Sequence, residues 1–311
     1  MTRKKQKEAI WFTVIIVLML SLFAGFSAGG GSKIDCHGKL QVHFIDVGQG
    51  DSIYVCTPRG DNLLIDSGDN KAASKVIGYL KARGVKKLDI AIATHPDTDH
   101  IGAMDDVVNT FEVKSFYMPE VKSESQNYKN LLNALEKKKL KAIPLYALDS
   151  FDLSNGKGDC FFDIYSPVKG KHYPDTNSYS IVGRLRYKDT CFMLTGDATR
   201  ENEEDMIDTG FKLDSNVLKL GHHGSKTSSS LEFLTYVNPD IAVVSAGKNN
   251  KYSHPHKETL ENLEQLGVPY VSTADEGDIV FISDGKKVSL IKNQNQILDM
   301  AEKLLQMLFK F

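Results

Sequence analysis

Four side chains able to bind a metal ion fall within six residues in Thr94-His95-Pro96-Asp97-Thr98-Asp99-His100-Ile101-Gly102. Imidazole and carboxylate together suit first-row divalent cations. Packed this tightly, they need a cation to organise them, whereas a helix cap would use only one, with Asp99 in that role. The same residue types recur downstream: Asp197 in Leu194-Thr195-Gly196-Asp197, His222 and His223 in Gly221-His222-His223-Gly224-Ser225, and His254 in Ser253-His254-Pro255. Together they suffice for two ions sharing one carboxylate. Such a pair clamps the attacking and leaving oxygens of a displacement and lowers the pKa of the water between them. The side chains of His222 and His223 diverge as neighbours, so one is expected to ligate and the other to orient a ligand or bind phosphate. Sequence leaves open which. Ser225 and Lys226 follow the pair and are candidates to hold a phosphate oxygen.

The elements that must position these residues follow from hydrophobic periodicity. Alternation over 39–45, 52–57 and 62–65, with glycine-bearing turns between, predicts an antiparallel meander. Helical spacing over 71–83 stops at Gly84. An apolar run over 88–93 reads as a buried strand delivering the His95 loop, with a helix from Ile101 toward Asn109. Strands at 113–118 and 141–145 flank a helix at 127–138. The second half repeats the rhythm: strands at 160–165, 180–187, 190–194, 216–220 and 241–245, helices from about 199 and over 257–266, a short strand at 270–272, and closing strands at 278–282 and 287–291. A last helix is expected over 294–311. Each chemical motif stands at a strand end, where an open sheet gathers a shared site. The polar stretch 166–176 reads as a long loop and a candidate substrate lip.

The 311 residues carry a formal net charge of -2, which excludes a wholesale basic coat for nucleic acid. A local groove built from Lys169, Lys171, Arg184, Arg186, Lys188, Lys219, Lys226, Lys248 and Lys251 stays open. Arg3, Lys4, Lys5 and Lys7 precede an apolar run from Ile10 to about Phe26 and a Gly/Ser-rich stretch. Residues 1–32 are therefore expected to be a signal peptide or an amino-terminal anchor. That makes the protein extracellular or held at the cell surface, with membrane contact through this segment if it is uncleaved. Residues 33–311 form the remaining domain. Cys36, Cys56, Cys160 and Cys191 are even in number and export permits disulfides, but they lack the close spacing of a zinc site and three lie in strand-like runs, so a bridge is not favoured. His37, His43 and His172 are expected to be structural or surface residues, and His256 a helix-start residue.

The His95–Gly102 stretch resembles the HxHxDH signature of the metallo-β-lactamase superfamily, with Asp97 where most members have the second His. Together with Phe44-Ile45-Asp46-Val47-Gly48-Gln49-Gly50-Asp51-Ser52, Leu64-Ile65-Asp66-Ser67-Gly68, Lys219-Leu220-Gly221-His222-His223-Gly224-Ser225 and the Asp197 and His254 motifs, it is similar to the hydrolase domain of ComEC-type competence proteins over 39–291. The resemblance implies a four-layer αββα sandwich that mixes α/β and α+β character, with two divalent ions, Zn or Mn, at one sheet edge. By position, one ion would take His95, Asp97 and one of His222 or His223, and the other Asp99, His100 and His254. Asp197 would bridge them, and Asp99 and Asp197 would serve catalysis. Asp46, Asp51 and Asp66 would support ligating imidazoles from behind. The multi-helix membrane channel of full-length competence proteins is absent from this sequence, so DNA uptake is not expected to carry over. The expected activity is that of an exported metal-dependent hydrolase, a phosphodiesterase or nuclease whose substrate could be DNA, with no protein partner implied. A phosphocholine-esterase-like role on cell-surface polymers is the alternative enzyme. A non-catalytic surface binding protein that kept the fold is the alternative from another class.

Overall fold

A computed structural model describes residues 36–291. The amino-terminal segment and the closing helix expected over 294–311 lie outside the described residues. Two mixed sheets face each other. The first runs β15-β14-β1-β2-β3-β4-β5-β6 and the second β13-β12-β11-β10-β9-β8-β7. The first contains β1 (Leu40–Phe44), β2 (Ile53–Cys56), β3 (Asn62–Ile65), β4 (Lys87–Ile92), β5 (Glu112–Tyr117), β6 (Ala142–Ile143), β14 (Ile279–Ser283) and β15 (Val288–Ile291). The second contains β7 (Ser150–Asp152), β8 (Cys160–Ser166), β9 (Val182–Tyr187), β10 (Thr190–Leu194), β11 (Val217–Lys219), β12 (Ile241–Val244) and β13 (Tyr270–Ser272).

The period-2 alternation of the strands sets the layers. In β1, Leu40, Val42 and Phe44 enter the core between the sheets, beside Phe192 and Leu194 of β10. The opposite face of β1 turns His43 toward Tyr79, whose hydroxyl lies 2.8 Å from Nδ1; burial pushes this imidazole down to about 3. Helices α1 (Ala73–Ala82), α2 (Thr98–Ile101), α3 (Met104–Thr110) and α4 (Gln126–Lys137) accompany the first sheet. Val76, Leu80, Val107, Val108, Leu131 and Leu135 form the outer core there. Helices α5 (Arg200–Asp208), α6 (Leu231–Val237) and α7 (Lys257–Leu266) cover the second sheet through Met206, Phe233, Leu234 and Leu263. The result is the expected αββα sandwich.

The β1–β2–β3 meander is antiparallel as its turns imply. The helix expected from Ile101 is instead split into α2 and α3 at Gly102, where a Cβ would lie 2.5 Å from the Asn70 backbone nitrogen. The strand expected from Ser180 begins two residues later, after a short 3-10 turn at Asn177–Tyr179. Three elements lie where the hydrophobic pattern gave no expectation: β7, α6 and the one-turn α8 (Thr273–Glu276). A Ser230 cap on the Phe233 N–H starts α6, so a helix-start signal was present in the serine run. Among the described residues, no helix is long and apolar enough to cross a membrane.

The cysteines correct the reading that did not favour a bridge. Cys36 is bonded to Cys56, with Cα atoms 6.1 Å apart, while Cys160 and Cys191 are free and buried. The pairing arises because the 36–39 turn folds back on β2, Gly38 N donating to Pro58 O at 2.8 Å; sequence spacing does not show that contact. Because the bridge closes a 20-residue separation, replacing both cysteines with serine should lower stability by about 3 kcal/mol through the unfolded chain's regained freedom. Urea unfolding of this variant beside the oxidised protein measures it; equal midpoints would show the crosslink contributes nothing.

Candidate metal centre

The site forms where strand ends converge. β4 delivers Thr94 and His95, and one turn later α2 carries Asp99 and His100. β10 delivers Asp197, β11 the His222–His223 turn, and β12 Ser245. From the first sheet, Asp51 enters at the start of β2 and Asp66 at the end of β3. Gly50 makes the close approach possible: a Cβ there would sit 2.2 Å from Asp99 O. Asp51 N donates to that carbonyl at 3.1 Å, tying the glycine turn to the ligand loop.

Asp197 is the hub. Its carboxylate lies 3.2 Å from His100 Nε2, 3.3 Å from His223 Nε2, 3.8 Å from His222 Nε2 and 3.9 Å from His95 Nε2. In each of these imidazoles Nδ1 has a partner behind the site. His95 Nδ1 meets Thr94 Oγ1 at 3.1 Å, and Ser180 Oγ lies 3.4 Å away. His100 Nδ1 meets Asp66 Oδ2 at 2.8 Å. His222 Nδ1 meets Thr227 Oγ1 at 3.2 Å, and His223 Nδ1 meets Ser245 O at 2.9 Å. Anchoring one ring nitrogen and aiming the other is how metal-binding histidines are held. Asp97 lies 3.9 Å from His95 Nε2 and accepts from Thr176 Oγ1 at 2.8 Å, which brings the expected lip to the site. Asp99 lies 3.3 Å from His223 Nε2.

Neither His222 nor His223 turns away from Asp197, although a single ligand was expected from the pair. Both adopt left-handed backbone, φ 48° and 56°, a conformation costing of order 1–3 kcal/mol per non-glycine residue and concentrated at functional sites. The turn aims both rings at the same carboxylate. His254 lies just outside, its ring centroid 5.4 Å from that of His222 and 6.1 Å from that of His223. It was expected beside Asp99 and His100. The capping alternatives fail. Asp97, not Asp99, occupies the α2 cap position, and without a side-chain bond, while Thr199 caps α5 through a capping box with Asn202 and leaves Asp197 free of that task. His256 is the helix-start residue expected, its Nδ1 accepting from Lys226 N at 3.0 Å.

Supporting residues sort less evenly. Asp66 stands behind His100 as expected. Asp51 also lies on the Nδ1 side, 3.5 Å from His223 and 3.9 Å from His100. With His100, Asp197 and His223 it forms a fully buried set whose ligand-type atoms lie within 4.8 Å of one another. Asp46 supports no imidazole. It accepts from Gly48 N and pairs with Lys75 at 3.1 Å, because its strand-end carboxylate points to the protein surface. Ser225 is buried, with its hydroxyl tied to Thr227, so it does not present itself to a phosphate; the side chain of Lys226 is exposed.

Lys219 was expected along a surface groove. It is instead fully buried, its ammonium 2.7 Å from Asp51 Oδ2 and 2.9 Å from both Gly196 O and Leu220 O. It ties the ends of β10 and β11 to the turn of the other sheet. A lysine inside the apolar run Val217-Leu218-Lys219-Leu220 was the available signal. Arg184 is likewise buried against Asp214 O, and Lys171 is engaged by Asp205, so neither lines a groove.

The charges interlock. Burial opposes ionisation of Asp197, but His100 and His223 outweigh it and hold the carboxyl well below its ordinary range. Burial equally opposes protonation of His100 and His223, and the surrounding carboxylates override it, raising both well above the usual histidine value. His95 is pushed down to about 3 by burial and by His100, so it stays neutral. Its Nε2 is buried without a hydrogen-bond partner. A buried neutral imidazole with a free lone pair, facing two carboxylates and joined by three more imidazoles, fits a divalent cation.

Comparison with known proteins agrees with the geometry. The pattern described as the metallo-beta-lactamase superfamily matches residues 45–248. ComE operon protein 3 of Bacillus subtilis is 33% identical over 260 residues, 78% of this chain and 33% of that protein. Recombination protein 2 of Haemophilus influenzae is 30% identical over 244 residues, 77% of this chain and 28% of that protein. The chain thus spans about a third of the length of these curated relatives. A solved metallo hydrolase of Ignicoccus hospitalis superposes with a TM-score of 0.50 at 15% identity, covering 78% of this chain and 98% of that one, a likeness of fold. Its likeness to ComE operon protein 3 and Recombination protein 2 is consistent with a ComEC-type competence protein, and the chain belongs to the metallo-β-lactamase superfamily.

Proposed function

We propose that the protein is an exported phosphodiesterase that works with two divalent cations, Zn or Mn. The observation that carries this is the convergence of four imidazole Nε2 atoms on Asp197, with His95 Nε2 lacking a hydrogen-bond partner. His95, Asp97 and His222 would hold one cation, and Asp99, His100 and His223 the other, with Asp197 shared and His254 beside them. Bound there, such cations supply Lewis acidity and generate a nucleophile from water near neutral pH.

The chain's own residues prepare that chemistry. Asp66 and the Ser245 carbonyl fix the ring orientation of His100 and His223, so both Nε2 atoms face the centre. Lys219 neutralises Asp51, keeping that carboxylate behind the imidazoles rather than among the ligands. Thr176 holds Asp97 from the lip, the side from which a substrate would enter. The basic and apolar amino-terminal segment supports export. The name of one relative, Recombination protein 2, supports a nucleic-acid phosphodiester as substrate. The full set of ligand-type residues argues against a binding protein that has lost catalysis.

The test is an activity panel on purified protein stripped with chelator and reloaded with Zn or Mn. It sets single- and double-stranded DNA, RNA, bis-p-nitrophenyl phosphate and choline phosphodiesters against nitrocefin. Metal-dependent cleavage of a phosphodiester is expected, with nitrocefin untouched. Preference for nitrocefin, or less than one equivalent of metal bound per chain, overturns the proposal.

A further inference from the structure

We infer that Tyr252 is a stacking platform for an unpaired nucleobase flanking the scissile phosphate; this rests on the phosphodiesterase reading and names its substrate as a single strand. The Tyr252 side chain is 48% exposed, yet its ring lies stacked on His254 with centroids 5.6 Å apart and planes at 23°. His254 in turn stands 5.4 Å from His222, whose Nε2 faces Asp197. A ladder of rings thus runs from solvent to the hub of the metal centre. About half of Tyr252 remains open to water, with the flexible end of Lys251 over the ring, and every base offers a π-face to such a ring.

The loop is preorganised for that purpose. The single side chain of Asn250 accepts from Tyr252 N at 3.1 Å and His254 N at 3.0 Å, and donates to Gly247 O at 3.0 Å and His254 O at 2.6 Å. The base of the loop is tied to the glycine turn, Gly247 N donating to Gln49 Oε1 at 3.3 Å. Ser253, between the two rings, is held at φ 60°. Such a non-glycine conformation persists only where its surroundings dictate it.

Charge chooses between the two substrate classes with aromatic affinity. A quaternary ammonium would also seat on a tyrosine face. Here the Lys251 ammonium already stands 4.8 Å from the ring centroid, and Lys248 is exposed on the same loop. Two cations repel choline and attract a phosphate backbone. An exposed single ring can stack only on a base free of its own partner, which favours a single strand over a duplex.

The test measures binding and cleavage of a short DNA strand and of an abasic strand of equal length, with wild type, Tyr252→Ala and Tyr252→Phe. Binding is read by fluorescence anisotropy in chelator and KM with Mn. Tyr252→Ala is expected to weaken binding and raise KM about tenfold for the base-bearing strand, leaving the abasic strand unchanged, and Tyr252→Phe to restore both. Equal weakening for both strands, or no change for either, overturns the platform. If wild type cleaves no phosphodiester yet binds the base-bearing strand in a Tyr252-dependent way, the function proposal fails while the platform stands. If both strands are cleaved and Tyr252→Ala changes neither, the platform fails and the function stands.

Discussion

Asp197→Asn should reduce metal-dependent hydrolysis by at least about 10³-fold while leaving the fold intact. Asparagine has nearly the same shape, and the backbone bond from Asp197 N to Ser180 Oγ at 3.1 Å survives. What disappears is the negative charge on which His95, His100, His222 and His223 converge. Removing a residue that supports a metal ligand already costs tenfold to a hundredfold, and Asp197 is proposed as the shared ligand itself. Its loss should bring bound metal below two equivalents. Turnover of bis-p-nitrophenyl phosphate, metal content and circular dichroism check the three parts. Full activity in this variant would show that the hub is not the catalytic centre.

Lys219→Met should lower stability by about 3–5 kcal/mol, the cost of leaving one member of a buried ion pair uncompensated. Asp51 is 1% exposed, and burial alone would raise its pKa; the Lys219 ammonium, together with His223 and His100, outweighs that and holds the carboxyl below its ordinary value. Without the ammonium this charge stands buried against Asp197 and Asp66. The double variant Lys219→Met/Asp51→Asn should recover most of the loss, since the coupling between contacting charges is not additive. Urea titration of the two single variants and the double variant decides it. Equal losses in Lys219→Met and the double variant would instead assign the stability to the lysine's bonds with Gly196 O and Leu220 O.

Much of this architecture is legible in the chain because it is local. Strand and helix periods place β3, β10, α7 and β13 to the residue. The glycine turns announce the meander, and His95, Asp97, Asp99 and His100 lie close enough in sequence to declare a metal loop. Legibility fails where partners are distant. The Cys36–Cys56 bridge depends on a turn folding back over β2, and composition treats each cysteine as a small buried side chain. Asp46 and Asp51 flank the same glycine turn, yet one pairs with Lys75 at the surface and the other lies beneath the imidazoles. Turn chemistry is alike for both; only packing of the second sheet against this turn separates them.

Sequence alone determined the order of the strands and helices and the loop crowded with ligand-type residues, because period-2 and period-3.6 patterns and residue spacing are properties of neighbouring residues; the αββα sandwich followed from the resemblance those motifs carry. The tertiary structure decided which ligand-type side chains meet. His222 and His223 both face Asp197 because left-handed backbone bends their turn, a conformation residue type does not announce. Lys219 became an internal counter-charge because closing two sheets over a strand end leaves no solvent for its ammonium. Where charges must meet across the sandwich, position in space, set by packing many residues away, selects the partner.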